Sequence, residues 1–262
     1  MKDAKLVILF TLVSLTGSII VKAQDAGSIV SWGAIAFDSK ELDANDFIAI
    51  SAGEAHTLAL KSNGTIIGWG ANYYGQATPP DGNDYMAISV GNSHSSALKC
   101  DGSIVGWGNN SHRQAIPPIG NDFVEMSAGS YHSLALKSDG SIVGWGYNRY
   151  GQAAPPAGND FIAISGGSSY SLALKSNGLI VGWGDDYFGR ATPPESNDFI
   201  AISAGDSHSL ALKADGSIVG WGLNSSGQAT PPEGNNFIAI AAGHLHSLAI
   251  RKEPSPEELV DD

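Results

Sequence analysis

The chain has 262 residues, of which 42% are hydrophobic and only 15% charged, with 33 glycines, 12 prolines and one cysteine. This composition is that of a folded chain with a sizeable core, and it excludes an intrinsically disordered protein or a charge-patterned coiled coil. The net charge of −12 argues against a nucleic-acid partner, because binding to that polyanion needs lysine and arginine. A single cysteine excludes an intrachain disulfide framework and a thiolate zinc site.

The first 23 residues have the three-part pattern of a secretory signal peptide. Two lysines precede an apolar run over 6–21, and small or apolar residues at Val21 and Ala23 match a cleavage site after Ala23. A membrane anchor is the alternative, but sixteen residues interrupted by serine, threonine and glycine are short for a bilayer span. We therefore expect a secreted or periplasmic mature protein without a membrane span.

A 38-residue repeat organises the rest of the chain. Six tryptophans recur at intervals of 37, 38, 38, 38 and 38 residues, and one unit, over 124–160, reads VEMSAGSYHSLALKSDGSIVGWGYNRYGQAAPPAGND. Such agreement over six copies indicates a repeat architecture. The tryptophans are Trp32, Trp69, Trp107, Trp145, Trp183 and Trp221. A second set in register, named the histidine ladder here, comprises His56, His94, His132, Tyr170, His208 and His246.

Each unit predicts three short strands followed by a loop. In the first complete unit the strands are expected over 46–51, 56–61 and 65–69, and the Asn-Gly pair at 63–64 predicts a tight hairpin between the last two. The dozen residues that follow contain Gly75 and a Pro-Pro pair, which are typical of a loop or at most an edge segment.

Both faces of these strands are apolar or small, as expected when each sheet is sandwiched between two copies of itself. Radial repetition of such sheets gives a β-propeller, which closes on itself and protects its strand edges. A linear β-solenoid is the alternative, but residues 236–252 supply two strands without a third, and the missing strand is found at Gly27–Gly33 (GSIVSWG). We therefore predict an all-β fold: a six-bladed propeller over 24–253, its last blade closed by the N-terminal strand, and an acidic tail over 254–262.

The units over 129–152 (GSYHSLALKSDGSIVGWGYNRYGQ) and 205–228 (GDSHSLALKADGSIVGWGLNSSGQ) resemble repeats of the regulator of chromosome condensation family. The resemblance covers 27–252 and is closest to the short-repeat secreted bacterial branch, which includes the propeller-type β-lactamase inhibitory protein. It implies a propeller of antiparallel blades, often seven, where the repeat count here predicts six. The eukaryotic founder is a nucleotide-exchange factor for a small GTPase, but the export signal and the equally short units, without an inserted wedge, argue against that activity.

The histidine ladder is the set of residues that most resembles a chemical site. Imidazole is a common metal ligand, but Tyr170 takes the position in the fourth unit, and ligands must converge within about 2 Å of one ion. We therefore expect each histidine to order its own blade through a hydrogen bond to the backbone.

Other catalytic and cofactor signals are weak. The Asn-Asp pairs before the first strands could suggest calcium, yet calcium loops need several oxygens at alternating positions, and such pairs are typical of turns. No nucleophile–base order, phosphate-binding loop or catalytic carboxylate pair stands out. The sequence therefore predicts no cofactor, no metal site and no enzymatic activity.

Variation among the units is concentrated on one predicted rim. The hairpins read KSNG, KCDG, KSDG, KSNG and KADG, whereas the loops after the third strands read ANYY, NNSH, YNRY, DDYF and LNSS. These loops should emerge beside the turns between the first and second strands, because successive strands alternate in direction. Tyrosine and arginine, which dominate binding hot spots, are frequent there. The candidate binding residues are Tyr73, Tyr74, His112, Tyr131, Tyr147, Arg149, Tyr150, Asp185, Asp186, Tyr187 and Phe188.

Two functions stay open for this rim. The first is a monomeric scaffold that binds a partner protein. The second is a lectin-like module in which aromatic rings stack on sugars while Asp185, Asp186 and Asn110 bond to hydroxyl groups. A multivalent lectin should repeat one set of residues in every blade, and the loops differ from blade to blade, so a single asymmetric protein partner fits better. A purely structural role is the third interpretation.

Overall fold

The computed structural model describes residues 46–252. The predicted signal peptide, the strand expected over Gly27–Gly33 and the acidic tail lie outside these residues. Within the described range the chain forms seventeen strands and one 3-10 turn. Five consecutive three-stranded antiparallel sheets are followed by a two-stranded sheet, so the predicted all-β fold is confirmed. No helix in this range is long or apolar enough to cross a bilayer.

The strands have nearly the same bounds in every unit, and we number them in chain order. Blade 1 comprises β1 (Phe47–Ala52), β2 (His56–Lys61) and β3 (Ile66–Gly70); blade 2 comprises β4 (Tyr85–Val90), β5 (His94–Lys99) and β6 (Ile104–Gly108); blade 3 comprises β7 (Phe123–Ala128), β8 (His132–Lys137) and β9 (Ile142–Gly146). Blade 4 comprises β10 (Phe161–Gly166), β11 (Tyr170–Lys175) and β12 (Ile180–Gly184); blade 5 comprises β13 (Phe199–Ala204), β14 (His208–Lys213) and β15 (Ile218–Gly222); the last sheet comprises β16 (Phe237–Ala242) and β17 (Ser247–Arg251).

Each complete blade is a meander whose second strand pairs with both neighbours. In blade 1, Ala59 lies opposite Ile50 of β1 and Ile67 of β3. The register of β1 shifts between Phe47 and Ala49, and the same irregularity recurs in every sheet. Because a bulge bends a strand and increases its twist, each first strand is curved in the same way.

The blades are arranged radially. The first strand of each blade packs against the first strand of the next, from β1 to β16, and the second strand packs against the following first strand. The first strands are therefore the inner strands and the third strands the outer ones, as in a propeller. The core consists of slabs between blades: Leu58 and Leu60 of blade 1, for example, cluster with Ile88 and Val90 of blade 2.

Small polar residues join the inner strands across blades. The Ser89 hydroxyl accepts a hydrogen bond from the Ala128 backbone N–H at 2.9 Å, and equivalent bonds join each following pair of blades to the last sheet. Serine at this position satisfies an inner-strand donor that the three-stranded sheet leaves unpaired. The close spacing of blades therefore depends on the Ser, Ala and Gly content of the units.

The hairpin turns differ in detail from the Asn-Gly turn that the sequence suggests. Gly64 has a φ of 80°, but Asn63 does not have a positive φ, since Arg113 and Phe188 are the only described non-glycine residues that do. The Gly64 N–H donates to the Lys61 carbonyl at 2.9 Å, and Asn63 Oδ1 accepts from the backbone N–H of Thr65 at 3.0 Å. This is a type I turn followed by a left-handed glycine, in which Asn or Asp acts as a local acceptor.

Replacing the hairpin glycine of any blade, such as Gly140 in blade 3, should lower the free energy of unfolding by more than backbone strain alone would. A Cβ at Gly140 would lie 2.3 Å from the Asn159 carbonyl oxygen, whereas a Cβ at Gly151, which has a similar φ, would meet nothing within 4 Å. We expect Gly151→Ala to cost about 1 kcal/mol through its left-handed conformation, and Gly140→Ala at least about 2 kcal/mol because the backbone must also move. Urea unfolding of both variants checks this, and equal losses would contradict the contact argument.

Candidate binding rim

The turn between the first two strands and the loop after the third strand lie side by side at one end of each blade. In blade 1 the Ala71 N–H donates to the Ala55 carbonyl at 2.7 Å. Both segments therefore form one rim, as the strand directions predict. The corresponding donors in blades 2 to 5 are Asn109, Tyr147, Asp185 and Leu223.

A shared set of side-chain bonds holds the rim loops. In blade 1, Gln76 Oε1 accepts from the Tyr74 N–H at 2.9 Å, Asn72 Oδ1 accepts from the Ala77 N–H at 2.9 Å, and Asn72 Nδ2 donates to Thr78 Oγ1 at 2.8 Å. The same three bonds recur in blade 5. The bond from the Asn or Asp oxygen recurs in blades 2 to 4, and the glutamine bond recurs in blades 2 and 3 but not in blade 4, which has Arg190 at that position. The variable tip residues are therefore carried by a largely shared loop framework.

Four rings from two neighbouring loops and one turn form an aromatic cluster. His112 lies 6.0 Å from Tyr131 and 4.8 Å from Tyr147, and Tyr147 lies 6.5 Å from Tyr150, all between ring centroids. The Arg149 guanidinium lies 5.9 Å from the centre of the Tyr150 ring. Tyr131 and Tyr150 are 43% and 48% exposed. These five residues, named the aromatic cluster below, span the rim from blade 2 to blade 3.

Tyr187 and Phe188 form a second exposed group, on blade 4. Their ring centroids are 4.0 Å apart, and they lie in the 3-10 turn Tyr187–Gly189. Phe188 has a φ of 66°, a conformation in which bulky side chains are rare and strained. Within 46–252 no ring contact joins this pair to the aromatic cluster, so the predicted patch consists of two groups on adjacent blades.

The polar residues expected to bond to sugar hydroxyls are occupied within their own loops. Asp185 Oδ2 forms an ion pair with Arg190 at 2.8 Å. Asp186 accepts hydrogen bonds from a backbone N–H and from the Thr192 hydroxyl, both at 2.7 Å. Asn110 Oδ1 accepts a backbone N–H at 3.2 Å. These side chains therefore stabilise the loops that carry the aromatic residues.

The remaining predicted residues and three that were not predicted also lie on exposed loops. Tyr73 and Tyr74 of blade 1 are 93% and 58% exposed. Ile116 and Ile119 in the loop of blade 2 are exposed as well, and Arg113 has a φ of 64° where four other units have glycine. In the sequence these three residues are recognisable as departures from the repeat. The other complete units have Thr or Ala at the position of Ile116, and Asp, Glu or Ala at the position of Ile119.

The buried histidines of the ladder join consecutive blades. His56 Nε2 lies 2.9 Å from Ser95 Oγ, and Ser95 Oγ donates to the backbone carbonyl of Gln76 at 2.9 Å. Because that carbonyl uses the single hydroxyl hydrogen, the imidazole carries its hydrogen on Nε2 and donates it to the serine. The expected bond from each histidine to its own blade is therefore wrong. The equivalent pairs are His94–Ser133, His132–Ser171 and His208–Ser247.

Burial keeps these histidines neutral. Nδ1 of His132 is buried without a hydrogen-bond partner among residues 46–252, and the ring packs on Gly129, where a Cβ would lie 2.1 Å from it. Burial lowers the pKa of His94 and His132 to about 3, and that of His56 and His208 to about 4. In the described part of the chain, no three His, Cys, Asp or Glu side chains converge as metal ligands.

Blade 4 differs from the other blades at two residues that contact each other, one in the histidine ladder and one in the rim loop. Tyr170 stands in place of histidine and is fully buried, and its hydroxyl donates to the His208 carbonyl at 2.7 Å. Arg190 stands in place of the glutamine of the other loops, and its guanidinium lies 5.2 Å from the centre of the Tyr170 ring. Arg190 also donates to the Asp206 carbonyl at 2.9 Å and is only 6% exposed. The two exchanged residues thus contact each other, and Arg190 directly follows the Tyr187–Gly189 turn in the chain.

Known structures share this fold. The chain is similar to the ectodomain of the receptor kinase CR4 from Physcomitrella patens, with 23% identity, a TM-score of 0.63 and coverage of 75% of this chain and 56% of that one. It is also similar to Prp20p from Saccharomyces cerevisiae, with 19% identity, a TM-score of 0.68 and coverage of 81% and 70%. The chain is also similar to the ectodomain of the Arabidopsis thaliana receptor kinase ACR4, with 21% identity, a TM-score of 0.66 and coverage of 81% of this chain and 80% of that one.

Sequence comparison identifies the repeat itself. No curated protein matches the sequence significantly. Among the solved structures, the chain spans little more than half of the length of the moss ectodomain. A family model described as the regulator of chromosome condensation (RCC1) repeat matches residues 47–76, 87–114, 123–152, 161–190 and 199–228. Since these matches cover more than half of the chain and follow the blades one by one, the protein belongs to the regulator of chromosome condensation repeat family.

Proposed function

We propose that the protein is an exported, non-catalytic propeller scaffold that binds a partner protein through the aromatic cluster and the adjacent Tyr187–Phe188 pair. The observation that carries the proposal is the aromatic cluster itself: four rings linked in a row by three ring contacts, with an arginine beside the last ring, on one stretch of rim. Export is proposed from the signal-like pattern of residues 1–23.

The physical properties of the cluster suit a protein interface. Aromatic side chains bury large areas on binding, and Tyr and Arg are enriched among residues that dominate binding free energy. Ring contacts inside the cluster restrict its rotamers before binding, which reduces the entropy lost on association. Arg149 is exposed beside Tyr150, so we expect the partner to present an apolar anchor next to a carboxylate.

A protein partner is favoured over a glycan. A sugar site needs free oxygen acceptors beside the rings, and the carboxylates of Asp185 and Asp186 are bonded within their own loop. The cluster also occurs on one part of the rim, whereas Leu223 and Ser226 stand at the positions of Tyr147 and Tyr150 in blade 5. One asymmetric partner explains this difference better than a ligand that recurs in each blade.

One structurally similar propeller, yeast Prp20p, is described as protein-binding in two separate structures. The printed description of Prp20p names its binding properties to Gsp1p and histones, and a second structure shows yeast RCC1 (Prp20) bound to Kap60. These descriptions support protein binding as the class of function proposed here. Nucleotide exchange is not part of the proposal, because all units of this chain are equally short.

The test compares matched pairs of rim residues. The partner is isolated from the native secretome with the purified protein, and its binding isotherm is then measured against each variant. Replacing Tyr147 and Tyr150 together by Ala should weaken binding about thirtyfold, equivalent to about 2 kcal/mol. Stability should fall by only about 1 kcal/mol, because Tyr150 is exposed and Tyr147 is half-buried in a rim loop outside the core.

The control replaces Leu223 and Ser226, the same two rim positions in blade 5, by Ala and should leave the affinity unchanged. Equal affinity of all variants would refute the proposed site. If a glycan array instead detects a sugar whose binding is lost with Tyr147 and Tyr150, the lectin interpretation replaces the protein-partner one.

A further inference from the structure

Most positive charges in the described part of the chain are already paired with carboxylates. Five lysines, one at the hairpin end of each complete blade, lie 3.1–3.6 Å from an aspartate that precedes the first strand of the same blade. Arg190 pairs with Asp185 at 2.8 Å. These six cations therefore have a carboxylate partner within the chain. The lysine pairs are Lys61–Asp46, Lys99–Asp84, Lys137–Asp122, Lys175–Asp160 and Lys213–Asp198.

Two arginines on the rim have no such partner. Arg113 lies in the rim loop of blade 2 and Arg149 in that of blade 3, and both residues are exposed. Neither forms an ion pair with any residue of 46–252. Arg251 and Lys252 also lack an ion pair in this range, but they lie at the hairpin end of the last sheet, where Arg251 takes the repeat position of the five lysines. The unpaired lysine and arginine side chains of the described rim are thus confined to blades 2 and 3.

The same stretch of rim carries no carboxylate. In blades 2 and 3 the rim turns over 91–93 and 129–131 read GNS and GSY. The rim loops over 109–114 and 147–152 read NNSHRQ and YNRYGQ. In a chain with a net charge of −12, this part of the rim is therefore locally positive, and such a patch attracts and orients a negatively charged partner. The rim turns and loops of blades 1, 4 and 5 carry Glu54, Asp185, Asp186 and Asp206.

Arg113 is held in a backbone conformation that glycine would adopt without strain. Its φ is 64°, in the left-handed region where a residue with a Cβ costs free energy, and the other complete units have glycine at this position. Within 46–252 the Arg113 side chain forms no hydrogen bond or ion pair that would offset this cost. Strain of this kind is typical of residues that contact a ligand. It leaves a contact outside the chain as the use of the Arg113 guanidinium.

Resting on the proposed function, we propose that the partner presents an acidic segment to the rim of blades 2 and 3. One carboxylate of this segment pairs with Arg149 and another with Arg113, while an apolar side chain packs on the rings of the aromatic cluster. Guanidinium groups bind carboxylates in a planar geometry with two hydrogen bonds. The carboxylates on the rim of blades 1, 4 and 5 repel the same segment and disfavour other placements. Arg113 and Arg149 therefore determine which partner binds, and Tyr147 and Tyr150 supply the apolar contact area.

Peptide selection tests this chemistry directly. A phage-displayed library of random dodecapeptides is selected on the purified protein, and the enriched peptides should combine Asp or Glu with an apolar residue. A synthetic peptide of the most enriched sequence is then titrated against each variant. Arg149→Gln and Arg113→Gly should each weaken its binding about tenfold, the loss typical of a hydrogen bond to a charged group.

Two controls separate the local contact from net charge and from folding. Lys252→Gln makes the same change in net charge as Arg149→Gln, but at the hairpin end of the last sheet, and should alter the affinity by less than about twofold. Arg113→Gly should leave the melting temperature unchanged or higher, because glycine adopts this φ without strain. A loss of binding in that variant is therefore not a loss of folding.

Enrichment of neutral or basic peptides, or of none, would overturn the acidic segment. The same holds if a heparin fragment binds through both arginines while no acidic peptide is selected, since the site would then serve a sulfated glycan. The double variant Tyr147→Ala and Tyr150→Ala distinguishes this inference from the proposed function. A selected peptide that needs the tyrosines but neither arginine refutes the acidic segment and leaves the proposed rim standing. A peptide that needs neither the tyrosines nor the arginines refutes both.

Discussion

Acidification from pH 7.5 to pH 5 is expected to destabilise the propeller strongly, because the buried ladder histidines must stay neutral. Each of these rings donates from Nε2 to a serine of the next blade, and Nδ1 has no partner in the described part of the chain. A proton added to Nδ1 would create a buried charge and a buried donor without an acceptor, and both are costly. The blade junctions should therefore separate on protonation.

The size of the effect follows from the difference in pKa between the folded and unfolded states. Burial lowers the pKa of His94 and His132 from 6.5 to about 3, so the unfolded chain binds more protons than the folded one below about pH 6.5. The contribution of these two histidines to the free energy of unfolding is therefore fully present above that pH, and it is lost as the pH falls toward 3. At pH 5 each histidine costs about 2 kcal/mol, and the two together about 4 kcal/mol, a large part of the roughly 5–15 kcal/mol typical of a protein.

Other titrating groups alter the profile without reversing it. The lowered pKa values of His56 and His208 act in the same direction. Glu125 acts in the opposite direction, because burial raises its pKa to about 8, so its contribution falls as the pH rises from about 4.5 to 8. One carboxyl opposes four imidazoles, and stability should still fall on acidification. Serine hydrogen bonds lower the pKa of hairpin residues such as Asp139, which titrate only in stronger acid.

Urea unfolding at pH 7.5, 6 and 5 measures this dependence. The slope of unfolding free energy against pH gives the number of protons taken up on unfolding. His132→Gln should reduce this number by about one between pH 6 and 5. The matched control is His246→Gln, because His246 has the same place in the repeat but is exposed, and it should leave the slope unchanged. Equal stability at pH 7.5 and pH 5 would show that the ladder is not held neutral by burial.

The period of the sequence was enough to predict the blades. The strand expected over 56–61 coincides with β2, and the one expected over 65–69 is displaced by one residue from Ile66–Gly70. This agreement arises because hydrophobic alternation, turn glycines and the tryptophan recur in six copies, so an error in one unit is corrected by the others. The predicted closure by residues 27–33 lies outside the described residues and stays a prediction.

Contacts between blades were not predictable in the same way. The partner of His56 is Ser95, 39 residues away, and it is set by the twist and spacing of neighbouring sheets, which a one-dimensional period does not specify. The rim shows a similar limit. Its residue types suggested binding, but only the structure shows that Asp185 is paired with Arg190 while the rings of the aromatic cluster contact one another.

Replacing Arg190 should cause the second large loss of stability. Its guanidinium pairs with Asp185, donates to the Asp206 carbonyl and covers the ring of Tyr170. Arg190→Ala leaves the Asp185 carboxylate without its partner, and breaking a buried pair in this way typically costs 3–5 kcal/mol. Because the Asp185 side chain is 28% exposed, water recovers part of this loss, and we expect about 2–3 kcal/mol.

The other blades supply the control for this pair, since His132 and Gln152 occupy the same two positions in blade 3. Tyr170→His alone removes the hydrogen bond from the tyrosine hydroxyl to the His208 backbone carbonyl and places an imidazole beside the Arg190 guanidinium. Arg190→Gln alone removes the guanidinium that covers the Tyr170 ring. The double variant restores the blade 3 combination, so its loss in unfolding free energy should be smaller than the sum of the two single losses by about 1 kcal/mol or more. Urea unfolding of the four proteins measures this coupling. Strictly additive losses would show that the two exchanges in blade 4 are independent of each other, despite the 5.2 Å contact between them.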